Sequence, residues 1–267
     1  MPGSLAKRHK RPAGLRVLSD FQSEAVAWID RDGETRSTND IQSLRDRSFE
    51  DAQICRKPVK YRHRGYYEGH YWFAGTGDLV WHESMNEYMA LMWLDFKFEI
   101  VGIAAQPMCI FFADGSHHYP DFFAVHADGQ QVLYDVKPLA RFDEDVVRQF
   151  RRTKEFCARA GWDYQVLTDL SPHFAMNLEW VASYRQPVNA PAPHVRDRIL
   201  RCVEDGRSLR ELAEALNPML PARHIHQIYH LIWRGDLVIE VSHLIHWETK
   251  VRRSSNAAMA DRLGGRT

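Results

Sequence analysis

The chain has 267 residues, 45% of them hydrophobic and 12% aromatic, which excludes a disordered polymer and allows one large domain or two small ones. Lys and Arg together number 35, as do Asp and Glu, so the formal net charge is zero. That balance excludes a uniformly basic nucleic-acid coat and leaves room for local basic patches.

Cys55, Cys109, Cys157 and Cys202 form no CxxC pair, which speaks against a zinc ribbon or a disulfide framework. No apolar run approaches the roughly 18 residues of a membrane span. No apolar stretch follows the basic start at 1–11, so no signal peptide is expected, and the sequence reads as a soluble cytoplasmic protein.

In chain order, residues 1–15 read as a flexible basic tail. Residues 25–29 form a candidate strand, and Asp32-Gly33 is a turn signal toward a second at 34–37. From Arg56 to Arg64 come Arg56, Lys57, Lys60, Arg62 and Arg64 with no acidic residue between them, interleaved and followed by Tyr61, Tyr66, Tyr67, Tyr71 and Trp72. Residues 78–81 read as a short strand and 84–95 as a helix. Apolar runs follow at 100–105, 109–112, 122–125 and 132–136, with Gly115 and Asp128-Gly129 as turns. Residues 143–160 carry a long helical pattern with Val146, Val147, Phe150 and Cys157 at core spacing, Gly161 ends it, and 164–167 is a further strand. The order helix, three strands, helix, strand is an α/β layer arrangement, with helices covering one mainly mixed sheet.

The Pro-rich stretch 187–193 reads as a linker. Beyond it, Val195, Ile199, Cys202 and Val203 mark one helix. Ser208 with Glu211 is a capping-box pattern opening a second, which carries Leu209, Leu212, Ala213 and Leu216. Pro221 starts a third, running to Gly235. Leu237, Ile239 and Val241 then alternate, followed by Ile245 and Trp247. Three short helices with a terminal hairpin describe a winged helix-turn-helix. The expected organisation is a basic extension with a small hairpin at 1–70, a catalytic domain at 71–186, the linker, a winged helix at 194–250, and a disordered tail at 251–267.

The chemistry concentrates in the middle. Asp135 and Lys137 lie two apart in a β-like run, so both side chains share a face. Pro120-Asp121 stands at the mouth of the preceding strand. Fourteen residues separate Asp121 from Asp135, enough for two adjacent strands and a turn. If those strands pair, the carboxylates end close together and repel unless a cation sits between them. Oxygen ligands of this kind suit Mg²⁺ or Mn²⁺.

Glu87 is the third acid. Ala90, Leu91 and Leu94 place it in line with the apolar stripe of its helix. The competing reading is a capping box with Ser84, and Glu83 is the alternative carboxylate nearby. A helical Glu, then Pro-Asp before a strand, then Asp-x-Lys in the next strand is the restriction-endonuclease-like PD-(D/E)xK pattern. Its logic is phosphodiester hydrolysis: carboxylates hold one or two divalent ions, and Lys137 orients the attacking water or neutralises the phosphate. Glu87, Asp121, Asp135 and Lys137 are the candidate catalytic residues, the three acids also as metal ligands.

Residues 78–170 resemble the TnsA-like endonuclease subunits of heteromeric transposases. The likeness is carried by Glu83-Ser84-Met85-Asn86-Glu87, the helix end Leu94-Asp95-Phe96, Gln106-Pro107, Tyr119-Pro120-Asp121-Phe122 and Asp135-Val136-Lys137-Pro138. The segment from Gly65-Tyr66-Tyr67 to Trp72 is similar to the lead-in of actinobacterial members. The resemblance implies a subunit that cuts one strand of duplex DNA at each transposon end, beside a DDE transposase partner and an AAA+ ATPase regulator. It implies family catalytic positions for Glu87, Asp121 and Lys137. Asp135 departs from the Gln or Glu usual there, which bears on metal geometry and preference.

Elsewhere, Arg56 to Arg64 is a candidate phosphate-tracking stretch. His117 and His118, just before Pro120, read as a surface turn, with contact to the metal or the scissile phosphate as the alternative. Arg223, His224, His226, Gln227, His230 and Arg234 form the polar side of the third C-terminal helix, with Arg223, His226, Gln227 and Arg234 as candidate DNA contacts. Protein docking is an equal reading of that domain. The alternatives for the whole chain are a stand-alone repair or restriction nuclease of the same fold, and a non-catalytic winged-helix DNA-binding regulator.

Overall fold

Strand β1 (Ala25–Ile29), apolar throughout, is buried from Ala25 to Trp28 and has a strand paired along each edge. The computed structural model describes residues 23–56, 67–203 and 206–254, so the expectations for the basic tail, for Lys57, Lys60, Arg62 and Arg64, and for the chain end from 255 onward lie outside the described residues. Contacts divide the chain into two units, residues 1–91 with 98–169 and residues 92–97 with 170–267.

In the first unit, β1 turns at Asp32-Gly33 into β2 (Thr35–Thr38). β3 (Gly69–Phe73) pairs in an antiparallel hairpin with β4 (Asp78–His82). Helix α1 (Met85–Lys97) follows, its residues 92–97 counted with the second unit, then β5 (Ile100–Ala105), β6 (Met108–Phe111), the short β7 (His117–His118), β8 (Phe122–His126) and β9 (Gln131–Val136). Helix α2 (Glu144–Ala160) and strand β10 (Asp163–Leu167) complete the unit. The first unit is thus a mixed α/β structure, and five strands rather than three stand between its helices. They divide over two sheets: β2-β1-β6-β7, wholly antiparallel, and β10-β9-β8-β5, in which β5, β8 and β9 are antiparallel and β10 runs parallel to β9.

The core of the unit lies between these sheets and α2. Phe49 is its hub, meeting Trp28, Phe123 and Trp162 edge to face at 5.3, 5.4 and 5.4 Å between ring centroids. Helix α2 is fixed at both ends. Asp143 accepts the Val146 N–H at 2.8 Å, and Gly161 takes φ 77°, a left-handed cap that side chains resist. Its inner face is Thr153, Phe156, Cys157 and Ala160, whereas Val147, expected in the core, is exposed.

In the second unit, α3 (Pro172–Ala182) was not foreseen, and it places the division between units at 169/170 rather than in the Pro-rich stretch. That stretch forms a 3-10 turn, Pro187–Asn189, before α4 (Pro193–Cys202). Helix α5 (Leu209–Leu216) has the full capping box expected: Ser208 Oγ accepts the Glu211 N–H at 3.2 Å, and Glu211 accepts the Ser208 N–H at 2.7 Å. The third helix is split into a 3-10 turn, Pro221–His224, and α6 (Ile225–Trp233). Strand β11 (Leu237–Ile239) pairs antiparallel with β12 (Val251–Arg253), so Arg252 and Arg253, read as the start of a disordered tail, lie in a strand, and Ile245 and Trp247 lie in the connection. Among the described residues no helix is long and apolar enough to cross a membrane.

Candidate active site

The β8–β9 pairing sets the site. Phe122 lies opposite Tyr134, and the Asp121 N–H donates to the Tyr134 carbonyl at 3.1 Å. One step further the rung changes: the Val136 N–H donates to Asp121 Oδ2 at 2.7 Å, a side chain standing where a backbone carbonyl would. This brings Asp121 beside the Asp135-Val136-Lys137 end of β9. A cleft of about 370 Å³ opens there, lined by Arg56, His118, Asp121, Asp135, Lys137 and Gln149 among others. Lys137 fixes its backbone through a 2.9 Å bond to the Leu167 carbonyl. Its side chain is half-buried and makes no ion pair among the described residues.

Asp135 is buried and bound at both oxygens. Tyr164 donates its hydroxyl to Oδ2, and His118 Nε2 lies 3.2 Å from Oδ1. The Thr153 hydroxyl, which donates to the Gln149 carbonyl at 3.0 Å, lies 2.9 Å from His118 Nδ1. His118 is therefore no surface turn but a buried member of β7 that braces Asp135 from α2. His117 is half-buried on the same strand and lines the cleft.

Glu87 sits in the first turn of α1. Its Oε2 accepts the Glu83 N–H at 2.6 Å, its Oε1 accepts the Ser84 hydroxyl at 2.9 Å, and Ser84 Oγ accepts the Glu87 N–H at 3.2 Å. The capping reading of this residue thus has its geometry, and Glu87 is not among the cleft-lining residues. It is nevertheless felt there. Loss of solvent, then the charge of Asp135, then that of Glu87 raise the Asp121 carboxyl well above the usual range. Burial likewise raises Glu87, and the Glu83 amide and Ser84 hydroxyl offset this in part.

The donor chemistry fits a hard divalent cation. The groups are oxygen-only carboxylates, and a central one repelled by two others is relieved by positive charge. The grouping stops short of a ligand set: among the described residues no three His, Cys, Asp or Glu side chains are gathered so as to hold a metal ion. Glu87 and Asp135 are each held by protein donors instead.

No protein-family model matches this chain, and no curated protein matches it in sequence.

Of the candidate DNA contacts, Arg56 lies in the cleft, with Nη1 3.2 Å from Glu83 Oε2. In the second unit Arg223 is exposed in the 3-10 turn, His226 is half-exposed on α6, Gln227 bonds His224 at 2.8 Å, and Arg234 is exposed at the helix end. His230 leaves the proposed polar side: it is buried, and its Nδ1 is 2.9 Å from the Tyr184 carbonyl. Sequence reasoning missed the bracing roles of His118, Thr153 and Tyr164 and the place of Arg56 within the acidic site. The usable signal was the alternation His118-Tyr119-Pro120-Asp121, which puts His118 just ahead of a strand rather than in a polar loop.

Proposed function

We propose that this chain is a divalent-metal-dependent DNA endonuclease of the PD-(D/E)xK type and the strand-cutting subunit of a heteromeric transposase. The observation that carries the reading is the meeting of Asp121, Asp135 and Lys137 in one cleft, with Asp121 pinned to the strand that bears the other two. The order α1, antiparallel β5-β8-β9, α2, parallel β10 supports a restriction-endonuclease-like core. The helices α4, α5 and α6 followed by the β11–β12 hairpin support a winged helix, with duplex DNA or a partner subunit as its target.

Asp121 would hold Mg²⁺ or Mn²⁺, joined by Asp135 and Glu87 on exchanging protein donors for the ion, which when bound supplies charge for the transition state and a more acidic water. Lys137 has an ammonium free to hold the attacking water or a phosphate oxygen. Tyr164 and His118 keep Asp135 in one orientation, so that the acid and the amine face the same reacting phosphodiester. A DDE transposase for the second strand and an AAA+ ATPase regulator are the partners this reading expects, with transposon ends as substrate.

The test is nicking of supercoiled plasmid in Mg²⁺ or Mn²⁺, alone and with a DDE transposase and AAA+ ATPase encoded alongside. EDTA should stop it. Lys137→Ala should slow it by at least about a hundredfold while duplex binding persists. Undiminished cutting by that variant would show that the cleft is not the active site.

A further inference from the structure

Gln106 is the only described non-glycine residue with positive φ, at 44°, and it is 1% exposed. Pro107 follows it, and a residue before proline is pushed sterically toward extended backbone, so the left-handed turn is opposed twice. Four bonds hold this turn. The Gln106 N–H donates to the Asp121 carbonyl at 2.8 Å, and its carbonyl accepts the Cys55 N–H at 2.9 Å. Its amide Nε2 donates to Glu83 Oε2 at 3.1 Å, and Cys55 Sγ donates to the Pro107 carbonyl at 3.1 Å. Gln106 Oε1 is buried with no hydrogen-bond partner among the described residues.

Every one of these partners adjoins a group of the site. Asp121 is itself in the cleft, Cys55 is followed by Arg56, and Glu83 binds Glu87 through its N–H. Glu83 Oε2 is shared, since Arg56 Nη1 lies 3.2 Å from it. A tight turn alone calls for glycine, which takes such a φ without cost. The glutamine side chain adds only one bond, and that bond is to the carboxylate holding Arg56. The Glu83 side chain is 15% exposed and that of Arg56 44%, so the carboxylate is sheltered while the guanidinium reaches open cleft. One edge of the guanidinium is taken by Glu83, and its remaining N–H groups match the spacing of phosphate oxygens.

We propose that Arg56 holds a nonbridging oxygen of the phosphate being cut, and that Glu83 and Gln106 are positioning residues that aim it. This deepens the nuclease reading and rests on it. Arg56 then supplies the cleft with a second cation beside Lys137, fixed from the protein side.

The test uses the full chain in two measurements: single-turnover nicking of supercoiled plasmid in Mn²⁺, and binding of a fluorescein-labelled duplex across a KCl series without divalent ion. Arg56→Ala should slow nicking about ten- to a hundredfold and lower the slope of log affinity against log salt by about 1. Arg56→Lys should restore the slope but not the rate. Glu83→Gln and Gln106→Gly should slow nicking roughly tenfold with the salt slope unchanged, a split that a merely structural role would not give. Gln106→Gly keeps the backbone turn, and Glu83→Gln probes the same contact without emptying a buried site. The inference is overturned if Arg56→Ala matches the wild type in rate and slope, or if both positioning variants nick at full rate. If the wild type does not nick, or Lys137→Ala nicks normally, it is the nuclease reading that has failed. The salt slope still decides whether Arg56 meets a phosphate.

Discussion

Four buried side-chain atoms lack a hydrogen-bond partner among the described residues: Glu50 Oε2, His82 Nδ1, Gln106 Oε1 and Trp162 Nε1. All belong to the first unit, and the second has none. The acids divide by burial and not by unit: Asp114 of the first unit, beside Ser116 and Arg152, is held down at about 2. Asp121 and Glu87 are pushed up by burial in the first unit. In the second, the Ser208 N–H and hydroxyl, with Lys250, hold Glu211 down at about 2, and Arg196 is paired with Asp236 at 2.5 Å. Native interiors satisfy nearly all their polar groups, so exceptions grouped in one unit mark where folding was compromised for something else. The described interior of the second unit is satisfied throughout.

The contrast can be tested by stability. Its largest expected effect is in the well-satisfied unit. Leu212 is fully buried on α5, and Leu212→Ala should cost about 2–5 kcal/mol in urea unfolding. A loss under 1 kcal/mol, as an order of magnitude for a site that collapses freely, would mean that its core is looser than its hydrogen bonding suggests.

Asp121→Asn should act in the opposite direction. The folded carboxyl titrates above its ordinary value of 3.8, so its contribution is fully present below that pH and is lost as pH rises through the folded value. In metal-free buffer near neutral pH the variant should therefore be more stable than the wild type, and the gain should fade as pH drops into the ordinary carboxylate range. Melting curves over a pH series in EDTA measure this. A variant less stable than wild type near neutrality would remove the argument that repulsion burdens the site.

The smallest effect concerns a cap. Ser208 is fully buried and satisfies the Glu211 amide, so Ser208→Ala should cost about 1 kcal/mol. An unchanged urea midpoint would show that water replaces the hydroxyl at no loss.

Local signals explain what could be read from the amino-acid order. Strand β9, with its β-branched and aromatic run, the Asp143–Gly161 bounds of α2 and the Ser208–Glu211 box each carry their own cause within a few residues, and each stands where the spacing placed it. Helix α3 has Pro172 at its first turn but an apolar pattern too uneven to mark one face, with Met176 and Trp180 exposed. The partner of β11 lies more than ten residues downstream, and only long-range pairing selects Val251–Arg253 over Ile245 and Trp247. In the site, the proximity of Asp121 to Asp135 followed from strand pairing. The engagement of Asp135 by His118 and Tyr164 did not, because β7 and β10 reach it from different parts of the sheet system. Glu87 was readable both as a cap and as a site acid, and its bonds to Glu83 and Ser84 explain why.

The end of the β8–β9 ladder is closed by Asp121 Oδ2, not by a carbonyl. Backbone order at that point is therefore wired to an ionisable group. Whatever draws electron density from this carboxylate, a proton or a cation, also weakens its hold on the amide of Val136, the residue before Lys137. Charge and chain geometry at this corner change together.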